Sequence, residues 1–449
     1  MPRTDNYTFL TGGSIPRVVC TMALPTIASM LVTSLYNMAD TFFVGRIDPP
    51  STAAVGIVFS VMFFVQAVSF FFGNGSGNYI SRQLGARNRV CAEQMASTAL
   101  VYALGAGVLI AVVGHAVLRP LSVWLGSTPT ILPYTEQYLG ISLLGAPLMT
   151  GALCINNQMR FQGNARYAMF GILSGAVVNV ALDPVLIFGL QMGVRGAALA
   201  TVSGQATSFA VLLLMSRRGE NIRYHWRHFT PCRLYVREIL AGGTPSLSRQ
   251  GLAAVSAVSL NLAAGAYGDA AIAAMAVVNR ITMLVYAAIV GLGQGFQPMC
   301  GFCYGAGLYG RVRSGFAFCV RVGTVFLTVI AIAGFACSES LISLFRNDPD
   351  VIGIGSQVLR FQLLSYPLGA VIITGNMLMQ TIRKPWRANL LAAARQGLFF
   401  IPLIFILPRL WGLTGLEMCQ AVSDALALVV TIPVLVSAFA DMRRAQARS

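Results

Sequence analysis

Charge is what this sequence has least of. Only 10% of its 449 residues are Asp, Glu, Lys or Arg, against about 25% in an average water-soluble domain. So few charges cannot cover a soluble surface, and with 56% hydrophobic residues the composition fits a bilayer as solvent. Histidine is scarcer still, with three in the chain. No apolar run holds a His-rich, Cys-rich or Ser/His set, which excludes an intramembrane enzyme built on a nucleophile–base pair or a metal cluster. The opening, Met1–Leu10, is polar and lacks a short apolar stretch followed by small residues. No cleavable signal peptide is therefore expected, and the first span itself would direct insertion. The nine cysteines lie mostly in or beside apolar runs. Cys300-x-x-Cys303 has no second pair and no nearby histidine, so it reads as small residues at a helix contact. Gly73, Gly75 and Gly77 have no strand before them and no lysine after, which argues for close helix packing rather than a phosphate loop.

What the chain has instead is uncharged runs of membrane-spanning length, such as Val18–Ala39, Gln94–Leu118 and Phe361–Ile382. Each meets the roughly 20 residues a helix needs to cross about 30 Å of hydrocarbon. The pattern predicts twelve spans: 14–45, 52–81, 92–118, 131–159, 166–190 and 194–216, then 238–266, 270–303, 312–338, 351–380, 386–409 and 412–440. The net charge of +16 follows the positive-inside pattern rather than a nucleic-acid patch. With the N-terminus cytoplasmic, 21 of the 31 basic residues, from Arg3 to Arg448, fall in cytoplasmic segments and 5 in external ones. That bias predicts a multi-pass inner-membrane protein with both termini inside.

The chain also repeats itself at an offset of 220 residues. Pro25 aligns with Pro245, Gly45 with Gly265, Gly73 and Gly75 with Gly293 and Gly295, Gly85-Ala86 with Gly305-Ala306, and Pro147 with Pro367. Glycine and proline mark backbone geometry rather than composition. A repeat of six spans enters the membrane twice from the same side, which predicts two six-helix bundles related by a pseudo-two-fold along the membrane normal. The expected domains are 1–216, a cytoplasmic linker 217–237, and 238–449.

Ionisable groups inside a span are costly and are functional candidates by default. The first half holds two, Asp40 and Asp183. Tyr36 precedes Asp40 by four residues, and Asn179 precedes Asp183 by four, so each pair shares a helix face. Pro184 frees the Val180 carbonyl one turn back, and Pro25 offers a place for the first span to bend. Two carboxylates, an amide and a freed carbonyl suit a dehydrated cation such as Na⁺, or the carboxylates can carry protons. No basic residue lies deep in a first-half span to neutralise them.

Three stretches carry a resemblance. Leu35-Tyr-Asn-Met-Ala-Asp40-Thr-Phe-Phe-Val-Gly45 is similar to the first-helix motif of the MATE (multidrug and toxic compound extrusion) transporters. Ser76-Gly-Asn-Tyr-Ile-Ser-Arg-Gln-Leu-Gly85 resembles their second-helix ending. Asn179-Val-Ala-Leu-Asp-Pro-Val-Leu-Ile-Phe-Gly189 with Gly196-Ala-Ala-Leu-Ala-Thr201 resembles their fifth-to-sixth-helix signature. The resemblance, nearest the DinF-like and MepA-like prokaryotic branch, spans nearly the whole chain. It implies an all-α MATE/MOP-type fold and an N-terminal cation or proton pocket of Asp40, Asp183, Asn179, Thr201, Tyr36, Tyr138 and Asn156. Na⁺ would sit at Asp40, Asp183, Asn179 and Thr201, and Pro25 would act as hinge. It further implies export of amphipathic, cationic small molecules against H⁺ or Na⁺, no other cofactor, lipid as the surrounding partner, no nucleic acid, and a monomer. Unlike other branches, the chain has no acid within 244–268 or 352–381, which confines coupling to the first half.

Five arginines lie within second-half spans. Arg280 falls where MATE proteins often carry arginine; Arg249 and Arg321 can snorkel to the surface. Arg360 and Arg395 read as deeper, either paired with Asp424 or facing an anionic substrate. Asp424 and Glu417 in the last span are weaker candidates, expected to be paired with an arginine or exposed to a cleft. An unpaired cationic interior would favour the alternative function, a lipid-linked oligosaccharide or phospholipid flippase of the same wider superfamily.

Overall fold

The computed structural model describes residues 5–346 and 348–447; Arg3 and Arg448 lie outside the described residues. Those residues form helices and connecting turns and no strand. In hydrocarbon every backbone N–H and C=O must be bonded internally, and long apolar runs satisfy this as helices. In chain order the long helices are α1 (Ile15–Val44), α2 (Pro49–Gly85) and α3 (Arg89–Ala116). A broken α4 follows (Leu132–Leu144 and Ala146–Phe161, bent by 47°), then α5 (Ala165–Gly189) and α6 (Val194–Ser216). The second half has α7 (Arg233–Gly265), α8 (Asp269–Gly305), α9 (Tyr309–Ala336) and α10 (Pro349–Thr381). The run Pro385–Gln446 completes it. This run is two helices, α11 (385–410) and α12 (413–446), because Trp411 and Gly412 have non-helical backbone angles (φ −128° and 58°). Nine of the described helical runs are long and apolar enough to cross a membrane, counting Pro385–Gln446 once, and the bent α4 makes ten. The break at Gly412 and the 33-residue α7, which carries Arg237, Glu238 and Arg249, account for the twelve expected passes. The interruption of α4 at Gly145 was not anticipated.

The helix ends obey local chemistry. Asp48 caps α2 by accepting from the Ser51 N–H at 2.7 Å, just ahead of Pro49 and Pro50, where missing N–H groups cost nothing. Asn88 caps α3 and Asp348 caps α10 in the same manner.

The 220-residue repeat extends from sequence to backbone geometry. Left-handed residues close α2 at Arg87 and α8 at Gly307, and α4 at Gly163 and α10 at Arg383. The hydrogen bonds that seal these turns match in register. Asn88 N–H bonds Gln83 O, as Leu308 N–H bonds Cys303 O, both at 2.8 Å; Asn164 N–H bonds Met159 O, as Lys384 N–H bonds Met379 O, both at 3.0 Å. The repeat is therefore written in turn geometry as well as in residue type.

The chain divides into two compact units, and they do not coincide with the expected boundaries. One comprises 1–12 and 24–243, the other 13–23 and 244–449. The start of α7 thus belongs to the first unit and the start of α1 to the second. Both crossovers, after Ala23 and after Gly243, fall two residues before a helix-interior proline, Pro25 or Pro245. Small residues build each arrangement. A side chain on Gly75 would lie 2.5 Å from the Ile239 carbonyl, and one on Gly295 2.5 Å from Ala23 Cα, so both crossings need bare backbone. In the first unit the α7 start is also held by Arg82 Nη2 and Glu238 Oε2, 2.8 Å apart. Gly75→Val and Gly295→Val should each cost about 1–3 kcal/mol through overpacking. Gly56→Ala, with open space around it, should not. Thermal unfolding of the detergent-solubilised protein checks this.

Candidate functional site

Within the first unit, four helices bring polar groups into an otherwise apolar layer. On α1, Tyr36 and Asp40 share a face. The first segment of α4 supplies Tyr138, which is 5% exposed. On α5, Asn179 and Asp183 follow Gly175 at intervals of four, so all three line one stripe. On α6, Thr201 and Gln205 are likewise four apart. Gly175 and Gly204 set the α5–α6 spacing: a side chain on Gly204 would meet the Gly175 carbonyl at 2.8 Å and Asn179 Cβ at 3.0 Å. Gly204→Leu should therefore force Asn179 and α5 away from α6 and cost about 1–3 kcal/mol through overpacking, read by thermal unfolding of the detergent-solubilised protein. Pro184 lacks an N–H, and α5 responds by widening directly after Asp183, where the Leu190 N–H reaches Val185 O at 2.8 Å. Such widened turns are frequent at functional sites.

These groups sense one another. Asp183 lies within electrostatic reach of Asp40, and Tyr138 within reach of Asp40, Asp183 and Tyr36 and close to Thr201. An apolar cluster, including Val44, Val55, Val58, Leu139, Ile187 and Ala197, packs around Tyr138. Against this background, several polar atoms are buried with no partner among the described residues: Asp40 Oδ1, both oxygens of Asp183, both amide atoms of Asn179, and Gln205 Oε1. Thr201 Oγ1 donates to Ala197 O at 3.0 Å, which leaves its lone pairs available. Apart from Asn179 Nδ2 these atoms are hard oxygens, which suit a small cation or a proton. Among the described residues no group of three His, Cys, Asp or Glu could hold a transition metal.

Asn156 stands apart. Its Nδ2 donates to Ala168 O at 2.8 Å, at the opposite end of α5 and about 22 Å along the helix from Asp183. Its repeat mate Asn376 donates to Ala388 O in the same way. Asn156 is a tie between α4 and α5, and the 220-residue offset could have revealed this. Gln205 was missed by sequence reasoning; its signal is its position four residues after Thr201. Pro25 lies inside continuous α1, where Ser29 Oγ bonds the Pro25 carbonyl at 2.9 Å.

The second unit holds a polar cavity of about 470 Å³. Arg395 sits on α11 in a second widened turn, closed by Phe399 N–H to Ala394 O at 3.2 Å. Its Nε meets Asp424 Oδ1 at 2.8 Å, and its guanidinium stacks 4.2 Å from the Tyr286 ring centre. Asp424 also accepts from Gln420 Nε2 at 2.9 Å and Ser365 Oγ at 3.0 Å. Arg395 is thus paired with Asp424, one of the two expected arrangements. Arg360 is not deep and does not reach Asp424. It bonds Ser338 Oγ at 2.8 Å and Glu339 Oε1 at 3.1 Å, because it lies early on α10, beside the short helix Ser338–Ser343 that precedes that span. Arg249 does not snorkel: it lines the cavity and donates to Asn376 Oδ1 at 3.1 Å. Arg280 lines the same cavity. Glu417 is buried, its Oε2 without a partner among the described residues.

Comparison with known proteins places this geometry. The MatE family model matches twice, over residues 25–185 and 245–406, two segments that begin at the paired prolines. The multidrug export protein MepA of Staphylococcus haemolyticus is 28% identical over 407 residues, covering 90% of this chain and 89% of that protein. Its counterpart in Staphylococcus saprophyticus is 25% identical over 412 residues, 91% of each chain. A crystal structure of MATE in complex with MaL6 superposes with a TM-score of 0.92 at 24% identity, covering 98% of this chain and all of that one. The apolar helices and these relatives make the protein a multi-pass membrane protein. With both halves matched by the family model and the whole chain by the fold, the chain belongs to the MatE family, whose members are transporters rather than enzymes and need no cofactor.

Proposed function

We propose that this protein is a secondary active multidrug exporter of the inner cell membrane, acting as a monomer with both termini cytoplasmic. It exchanges amphipathic small molecules against H⁺ or Na⁺. One observation carries the reading: both carboxylate oxygens of Asp183 are buried without a partner among the described residues. A lone buried charge is costly, so this carboxylate takes up either a proton or a metal cation. Asp40, Asn179, Thr201, Tyr36 and Tyr138 complete the loading site. Ion entry and substrate release then alternate as the two bundles rock, with Pro25 letting α1 bend. The relatives' role in multidrug export supports the substrate class. The flippase alternative would gain from Arg360 and Arg395 facing a cavity unpaired, and these two are both paired.

The test is transport by the purified protein in liposomes loaded with ethidium, with a pH gradient and a Na⁺ gradient imposed separately. At least one gradient should accelerate ethidium movement tenfold or more over protein-free vesicles. Equal rates with either gradient and with none would remove the exchange mechanism.

A further inference from the structure

We propose that the cavity of the second unit is an anion-accepting subsite, which binds the carboxylate end of an amphipathic small molecule through Arg249 and Arg280. Nothing in the exporter reading assigns this cavity, and the family resemblance implied cationic substrates.

The argument is one of charge and satisfaction. Four charged side chains line the cavity: Arg249, Arg280, Arg395 and Asp424. The only carboxylate among them is already engaged, since Asp424 accepts from Arg395, Gln420 and Ser365. Asp424 and Arg395 therefore neutralise each other, and little of the carboxylate is left for a cationic guest. Arg249 and Arg280 have no ion-pair partner among the described residues. Arg249 makes one neutral contact, to Asn376 Oδ1, and that amide is anchored in turn to the Ala388 carbonyl, so the guanidinium is held in place. Two positive charges thus remain at the cavity, a half-buried Arg249 and an exposed Arg280, with no carboxylate there to pair them. A guanidinium presents a planar fork that matches a carboxylate with two parallel hydrogen bonds. Apolar walls from Met275, Met283, Val290 and Phe400 suit the hydrophobic body of the same guest, methionine being adaptable to varied shapes. The volume, about 470 Å³, lies in the range of small-molecule sites.

The test is equilibrium binding, independent of transport. The full-length protein in phosphatidylcholine nanodiscs is titrated with dansyl-leucine and with its methyl ester, which differ in one negative charge. The acid should bind at least tenfold more tightly than the ester. Arg249→Gln and Arg280→Gln should each weaken the acid about tenfold and leave the ester unchanged, which also shows the variants folded. Equal affinity for acid and ester, or variants that bind the acid like wild type, would overturn the proposal. So would loss of acid binding in nanodiscs enriched in phosphatidylglycerol, because a lipid headgroup would then be the occupant. Because binding needs no gradient, a failure here leaves the exchange mechanism standing, and the reverse holds.

Discussion

Asp183→Asn should abolish gradient-driven export while leaving the protein at least as stable as wild type. The substitution keeps shape and removes the charge. In the structure neither carboxylate oxygen of Asp183 makes a hydrogen bond among the described residues, so no native contact is lost. Replacing an uncompensated buried carboxylate by a neutral amide lowers the desolvation cost, which predicts an unchanged or raised unfolding temperature. Coupling should nonetheless collapse, because an amide neither carries a proton nor offers formal charge to a cation. Asp40→Asn should behave alike, since the two acids share one electrostatic environment. Ethidium flux in liposomes under the effective gradient should fall to the rate of protein-free vesicles. Flux above half the wild-type rate in both variants would sink the assignment. Paired flux and thermal-unfolding measurements distinguish lost coupling from lost folding.

The second large effect is structural. Asp424→Leu should destabilise the second unit by about 3–5 kcal/mol, because it strands Arg395 in the interior without its partner. Arg395 and Asp424 are only 14% and 1% exposed, so the pair is largely shielded from bulk solvent. Asp424→Leu combined with Arg395→Met should recover most of the loss, since replacing a whole buried ion pair by apolar groups of similar volume is often neutral. Thermal unfolding in detergent reads both variants. If the single variant melts with wild type, the pair contributes little; if the double is no better than the single, the carboxylate acts through Gln420 and Ser365 instead.

The contrast between these residues explains what the sequence revealed. Helix spans were legible because hydrocarbon demands length and apolarity together: 194–216 matches Val194–Ser216, and 166–190 lies within a residue of Ala165–Gly189. α7 began five residues earlier than expected, at Arg233, because its first turns, with Arg233 and Arg237 exposed and Glu238 paired with Arg82, carry no apolar run. The first-half acids were legible because nothing basic accompanies them in their spans. Arg360 was misjudged for the opposite reason. Its linear position within a long span looked deep, but depth is set by where the helix starts, and the Glu339 carboxylate arrives from a short helix that no periodicity announces. Asn156 belonged to the family pocket by resemblance, yet its hydrogen bond to the Ala168 carbonyl is a repeated joint. Comparing it with Asn376 would have separated joint from pocket.

The exchanged helix starts bear on how such a chain can be made and cut. Residues 13–23 are built into the second unit and 233–243 into the first. A nick anywhere in 217–232 therefore yields two polypeptides, each carrying a strut that fits only the other fragment. Complementation between them would be a mutual swap, obligatory rather than incidental.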